Sequence, residues 1–248
     1  MTESAEVYDD NWELWADMKI HGPASRWLRF LIDRGMSKLV PSEIRTWVDV
    51  GCGEGTNTVH FARSLPDCEV LGIDFSQTAI TIANRINKKN NLNFRVDSES
   101  DALSKNFDVV SCLEVLEHVE DWQSLLGRLA DAASKYLILS FPTGRMRPFE
   151  VNVGHLRNFK KGEVESFLGL KGFEPLKLQY AGFPFYSPFY RELCNLNNAA
   201  SSKFTQGSYS LKQKLLANVF YVLFLCSTRK HWGDQFVGVF YRKEVGAL

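Results

Sequence analysis

The stretch Thr46-Trp-Val-Asp-Val-Gly-Cys-Gly-Glu-Gly-Thr56 decides the fold of this chain. An apolar strand carrying Trp47, Val48 and Val50 runs into glycines spaced Gly51-x-Gly53-x-Gly55, and Asp49 stands two residues before the first of them. Glycines so placed let the backbone turn sharply and approach a ligand closely, because no Cβ intervenes. The helix expected to follow presents free N–H groups at its first turn. The spacing departs from the dinucleotide pattern G-x-G-x-x-G: the third glycine comes one residue early, and Thr56 stands where that pattern has Gly or Ala. Asp49 puts a negative charge at the strand end, which repels phosphate and suits a cationic ligand. A plain tight turn is the alternative reading of the glycines alone.

Outward from this stretch the chain alternates apolar runs with amphipathic segments. The runs are Thr46–Gly51, Glu69–Asp74, Leu92–Val96, Phe107–Leu113, Tyr136–Phe141, Phe173–Gln179 and Gln235–Arg242. Several are apolar over nearly their whole length, as strands buried on both faces must be. Helices are predicted over Thr56–Ser64, Gln77–Asn90, Trp122–Ser134 and Lys161–Leu168, with Ser76 as an N-cap. This rhythm predicts an α/β fold: a doubly wound, mostly parallel seven-stranded sheet whose strand C-termini share one ligand-binding edge. Residues 1–44 are expected to form a helical cap, 45–180 the core, 181–232 an insertion and 233–242 the last strand. The two final strands are expected to be neighbours despite the long insertion between them.

Composition narrows the function classes. The 248 residues carry 29 basic and 29 acidic side chains, so no phosphate-neutralising surface is expected and nucleic acid is not favoured as a partner. The five cysteines (Cys52, Cys68, Cys112, Cys194 and Cys226) form no C-x-x-C pair and read as reduced core thiols of a cytoplasmic protein. The polar, acidic N-terminus is no secretory signal. The apolar run Leu215–Cys226 is too short, and too interrupted by Asn218, to span a bilayer.

Taken in order, five segments resemble the class I S-adenosylmethionine-dependent methyltransferases, in particular their type 11 small-molecule branch. They are Val48-Asp-Val-Gly-Cys-Gly-Glu-Gly55, Gly72-Ile-Asp-Phe-Ser76, Phe107-Asp-Val-Val-Ser-Cys-Leu-Glu-Val-Leu-Glu-His118, Leu137-Ile-Leu-Ser-Phe-Pro142, and Gly154 to Leu168 followed by Gly172-Phe173. The resemblance covers about Trp47 to Leu178 and implies a Rossmann-like methyltransferase fold. It implies S-adenosylmethionine as cofactor and S-adenosylhomocysteine as product. Gly51, Cys52, Gly53 and Gly55 would lie against the cofactor's amino-acid tail, with Asp49 near its ammonium group. Asp74, about twenty residues beyond Gly55, would hold the ribose hydroxyls; capping of the next helix is the alternative. Phe75 would cover the adenine, Asp97 and Ser98 would meet its edge, and Leu113 and Glu114 would line the methionine part. Arg26 would reach the cofactor carboxylate, or lie solvated on a helix face.

Methyl transfer from a sulfonium needs alignment, exclusion of water and an unprotonated nucleophile. His118 and His155 are the candidate bases. The string Glu114-x-x-Glu117-His118 also resembles metal-holding strings in some relatives, with His155 as a further ligand; a divalent metal is the weaker reading. The acceptor is expected to be a small molecule, methylated at oxygen, and lipid-like or sugar-bearing given the aromatic insertion Phe183–Tyr190 with Tyr209 and Tyr221. A non-catalytic S-adenosylmethionine-binding scaffold and a nicotinamide-dependent oxidoreductase are the rival readings. Peripheral membrane work is a third, suggested by the same insertion and by Leu215–Cys226.

Overall fold

The computed structural model describes residues 16–97, 101–196, 207–227 and 231–243. Two helices, α1 (Ala16–His21) and α2 (Pro23–Met36), precede the sheet. The alternating core follows as β1 (Thr46–Val50), α3 (Thr56–Ser64), β2 (Glu69–Asp74), α4 (Gln77–Ile86), β3 (Leu92–Val96), β4 (Phe107–Leu113), α5 (Trp122–Ala132) and β5 (Ala133–Pro142). Then come α6 (Pro148–Asn152), α7 (Glu163–Leu170), β6 (Phe173–Ala181), a distorted helical turn over Phe185–Tyr190, α8 (Arg191–Leu196), α9 (Leu211–Leu225) and β7 (Gln235–Arg242). The expected seven strands are all present, and the chain before Ala16, with Trp12 and Trp15 of the expected cap, lies outside the described residues.

The sheet order is β3-β2-β1-β4-β5-β7-β6. β1 to β5 pair in parallel, whereas β7 runs antiparallel to both β5 and β6. The order reverses between β1 and β4, and at such a switch point the loops leaving the two strands part and open a crevice. The glycine loop leaves β1 there and the Glu114 loop leaves β4. Because β7 is antiparallel, its first residue Gln235 pairs with both Pro142 and Ala181, so the insertion departs and returns at this same edge.

Side-chain alternation builds the two layers. Val48, Val50, Val110, Cys112, Leu137 and Leu139 face one way and pack with Leu125, Leu126 and Leu129 of α5 and with Val164 and Leu168 of α7. The intervening Trp47, Val109 and Ile138 face the other way, with Trp27, Leu31 and Ile32 of α2, Phe61 of α3 and Phe224 of α9. Trp47 is fully buried and stacks on Phe61 at 4.5 Å between centroids. Each such side chain contributes roughly 1.5–3 kcal/mol on burial, offset by the entropy of ordering the chain.

Element ends moved in places. α5 stops at Ala132 instead of Ser134, because Ala133 already pairs with Phe107 of β4. α4 ends at Ile86, where the Asn87 side chain instead donates to the Glu54 carbonyl at 2.7 Å. α7 begins at Glu163, two residues later than expected, after Gly162 in the left-handed region.

Candidate active site

The glycine loop is folded onto the second strand. Gly51 N and Cys52 N both donate to the Ile73 carbonyl, at 2.9 and 3.0 Å. Gly51 has φ 71°, and a Cβ there would collide with Val115 in the loop after β4. Glycine is thus required twice over, by backbone and by neighbour. Thr56 opens α3 directly behind the loop, with Gly55 as its N-cap residue.

Two buried carboxylates flank this loop and differ in their bonding. Asp74 ends β2 and accepts from Gly53 N through Oδ2 and from Ser76 N through Oδ1, both at 2.9 Å. It does not cap α4; Ser76 does, accepting from Ala79 N at 3.0 Å. Burial raises the Asp74 pKa against the pull of those two amides. Asp49 accepts from Ser111 Oγ at 2.6 Å and Thr58 Oγ1 at 2.7 Å, so it fastens β1 to β4 and α3. Burial pushes its carboxyl up to about 6, against those hydroxyl bonds.

Other expected site residues fall around this pair. Phe75, next to Asp74, is 54% exposed, with its ring available to cover a flat ligand. Asp97 donates its amide to the Asp74 carbonyl at 3.0 Å and is paired with Arg95; Ser98 lies outside the described residues. Of the cysteines expected in the core only Cys68 and Cys112 are buried; Cys194 and Cys52 are half-buried and Cys226, just past the end of α9, is exposed. Burial beside Asp49 and Asp74 holds the Cys52 thiol well above the ordinary range. Leu113 is buried at the end of β4. Arg26 instead rests on α9, its guanidinium 4.0 Å over the Tyr221 ring and bonded to Asn218 Oδ1 at 2.5 Å. Among the described residues, Lys19 of α1 reaches the glycine loop and is ion-paired to Glu54. Burial lowers the Lys19 pKa, while Glu54 and Asp74 raise it.

Beside the glycine loop, the turn after β4 is strained. Glu114 has φ 56°, a left-handed conformation uncommon for a side chain of this size. Its amide is held by the Ser140 carbonyl at 2.9 Å, and its carboxylate accepts from Gln235 Nε2 at 2.8 Å. Burial raises the Glu114 pKa. Glu117 is fully buried, and neither carboxylate oxygen has a hydrogen-bond partner. Burial, with Glu114 nearby, holds it well above the ordinary carboxylate range.

His118 and His155 meet here with ring centroids 4.7 Å apart at 84°. His118 Nδ1 lies 3.0 Å from the Gly154 carbonyl. A carbonyl only accepts, so Nδ1 carries the proton and Nε2 is the basic nitrogen. Burial lowers both imidazole pKa values, that of His155 to about 4 with His118 contributing. Glu117, His118 and His155 can each offer a ligand atom within 4.8 Å of one another. Leu156 N donates to the Glu117 carbonyl at 2.9 Å, which clamps the two loops together.

The insertion is fixed at this edge by a buried ionic cluster. Arg147 and Arg191 are each 3% exposed. Arg147 Nε donates to Glu192 at 2.8 Å, Arg191 pairs with Glu150, and both arginines reach Asp234. Lys19, Gln235, Ser111, Thr58 and this cluster were missed by sequence reasoning. Apart from Thr58, whose partner Asp49 is nine residues away, their partners lie tens of residues or more along the chain, and no local pattern marks them.

Known proteins resemble the chain in sequence and in fold. The model of a methyltransferase domain family matches residues 48–135. A ubiquinone biosynthesis O-methyltransferase of Pseudoalteromonas translucida is 34% identical over 106 residues, 41% of this chain and 44% of that protein. An uncharacterised methyltransferase of Schizosaccharomyces pombe is 35% identical over 85 residues, covering 30% of this chain and 31% of that one. The chain thus spans less than half the length of these curated relatives. Among solved structures, a magnesium protoporphyrin IX methyltransferase from Synechocystis, determined with bound SAM, aligns over 98% of this chain and 99% of its own at 17% identity, with a TM-score of 0.57. A SAM-dependent methyltransferase from Anabaena variabilis aligns over 98% and 96% at 16% identity, with a TM-score of 0.58. Residues 48–135 thus match a methyltransferase domain family, and the chain as a whole shares the fold of these solved methyltransferases.

Proposed function

We propose that the chain is an S-adenosylmethionine-dependent methyltransferase that methylates a small-molecule acceptor at oxygen. The observation that carries this is the Gly53–Asp74 bond, which sets a buried carboxylate against the glycine loop at the switch point. An ionised carboxylate has about four acceptor positions. Gly53 N and Ser76 N take two, leaving capacity for a pair of ribose hydroxyls. Asp49 supplies negative charge under the loop, and Phe75 supplies an aromatic face beside Asp74. The bound cofactor contributes an activated methyl group on a positively charged sulfur. The protein's own share is to orient, to exclude water and to accept a proton from the acceptor, for which the lone pair on His118 Nε2 is suited.

Oxygen as the receiving atom is supported by the O-methyltransferase relatives, and a flat or lipid-like acceptor by the aromatic turn Phe185–Tyr190. The segment 181–232 then serves as the acceptor lid. Calorimetric titration with S-adenosylmethionine tests the cofactor: a folded protein that shows no binding removes the reading. Release of S-adenosylhomocysteine in an acceptor screen separates turnover from a scaffold role.

A second reading is favoured by one observation, the two unpartnered oxygens of buried Glu117. With His118 and His155 they make a donor set that fits a divalent cation, which would ionise Glu117 and acidify an acceptor hydroxyl. Chelator-insensitive turnover of the true substrate would eliminate it.

A further inference from the structure

Helix α9 leaves an apolar stripe facing solvent that the methyl-transfer reading does not use. Its inner side is accounted for: Ala217 and Phe224 are buried, and Phe224 packs on Trp27 and Tyr190 at 5.9 and 5.0 Å. Its outer side carries Leu211 (87% exposed), Leu215 (68%), Val219 (51%) and Val222 (59%). These positions recur at helical spacing and form one continuous line along the axis. Scattered exposed leucines need no explanation, but a full-length stripe on one helix does.

Charge indicates what covers it. The helix contains no acid, and its first turn holds Lys212 and Lys214. Cations at a helix N-terminus oppose the macrodipole, so helix stability does not account for them. Neither lysine has an ion pair among the described residues. Arg26 lies alongside, stacked on Tyr221 of the same helix. At the other end stand two exposed aromatics, Phe183 and Trp232, in ring contact at 5.6 Å. The backbone ties this pair to the end of the helix: Phe183 N donates to the Trp232 carbonyl at 3.2 Å, and the preceding Gly182 N donates to the carbonyl of Ser227, two residues past α9, at 2.8 Å.

We infer that the outer face of α9 docks on an anionic lipid bilayer. The helix would lie in the plane of the interface, with the aliphatic stripe among the acyl chains, the lysines at the headgroups and Trp232 at the boundary. The protein body takes the place of the polar face that an isolated interfacial helix would need. A second copy of the chain would bring the same acid-free stripe and no counter-charge for the lysines. No described helix is long and apolar enough to cross a membrane, so the contact is peripheral.

The test is co-sedimentation of the full chain with vesicles of phosphatidylcholine alone or mixed with phosphatidylglycerol, and it does not depend on cofactor binding. The chain is expected to bind the mixed vesicles and to be released by salt. The triple substitution Leu215→Ser, Val219→Ser, Val222→Ser is expected to weaken binding on the order of a hundredfold. Lys212→Gln with Lys214→Gln should weaken it roughly tenfold to thirtyfold, on anionic vesicles only. Leu170→Ser, at a residue 91% exposed on α7, is the control and should change nothing. Thermal midpoints of all variants establish that they fold. Absence of vesicle binding by the full chain, or binding that both sets of α9 variants leave intact, overturns the inference. So does a dimer that the serine variant dissociates, with no vesicle binding; the stripe would then belong to self-association.

Discussion

The amide of Gly53 donates to Oδ2 of Asp74 at 2.9 Å, so the loop after the first strand and the acid ending the second form one mechanical unit. Asp74→Asn keeps the volume but removes the charge that receives two amides and, in our proposal, two hydroxyls. Affinity for S-adenosylmethionine is expected to fall about tenfold to a hundredfold, in line with about 1.5–3 kcal/mol for a charged hydrogen bond. Titration calorimetry reads this directly. Asp49→Ala combined with Asp74→Ala in a folded protein should abolish measurable binding.

Asp49 sets a pH dependence. Its pKa, about 6, lies above the usual carboxylate value, so its contribution to stability is full below about 4 and is lost as pH rises through about 6. A cationic ligand favours the ionised form. Affinity for the sulfonium cofactor should therefore climb between about pH 5 and 7 and then level off, and Asp49→Asn should flatten that step. Binding isotherms at a series of pH values check it; an unchanged step in the variant refutes the assignment.

Glu117 gives an opposite pair of effects in one substitution. Its pKa is raised by burial, so ionising it destabilises the fold as pH rises. Glu117→Gln should raise the metal-free melting temperature at pH 8 and make the melt less pH-dependent. If the cation reading holds, the same change abolishes stabilisation by added Mn2+ or Zn2+. Differential scanning fluorimetry with and without metal measures both.

Arg191 and Glu150 are 3% and 2% exposed and pair with each other. Burial lowers the arginine to about 10, still leaving it charged at neutral pH. Arg191→Met leaves Glu150 buried without this partner and should cost about 3–5 kcal/mol of stability. Adding Glu150→Gln, which removes the charge but keeps an acceptor for the Arg147 amide that Glu150 binds at 2.7 Å, should recover much of that loss, which denaturant unfolding of single and double variants would reveal.

The strands were legible because each is a dense apolar run, and β2, β3 and β4 keep the expected bounds. The glycine loop was legible because its conformation is written in three closely spaced glycines, Gly51, Gly53 and Gly55. What stayed hidden is held by distant pairs. Nothing local says that each Asp49 oxygen accepts from a hydroxyl, of Ser111 and Thr58, sixty-two and nine residues away. Arg26 and Lys19 sit on neighbouring helices, and nothing in their local sequence says which one reaches the loop. Tertiary packing decides that: Arg26 settles on the Tyr221 ring and Lys19 on Glu54.

Ala181 and Gln235 are register partners on adjacent antiparallel strands. Everything between them leaves and rejoins the sheet through a single doorway, with its two hinges one strand spacing apart. Such an appendage can be exchanged between homologues without rethreading the scaffold. In the proposed enzyme, variation in the acceptor can thus accumulate there, while the glycine loop between β1 and β2 stays as it is.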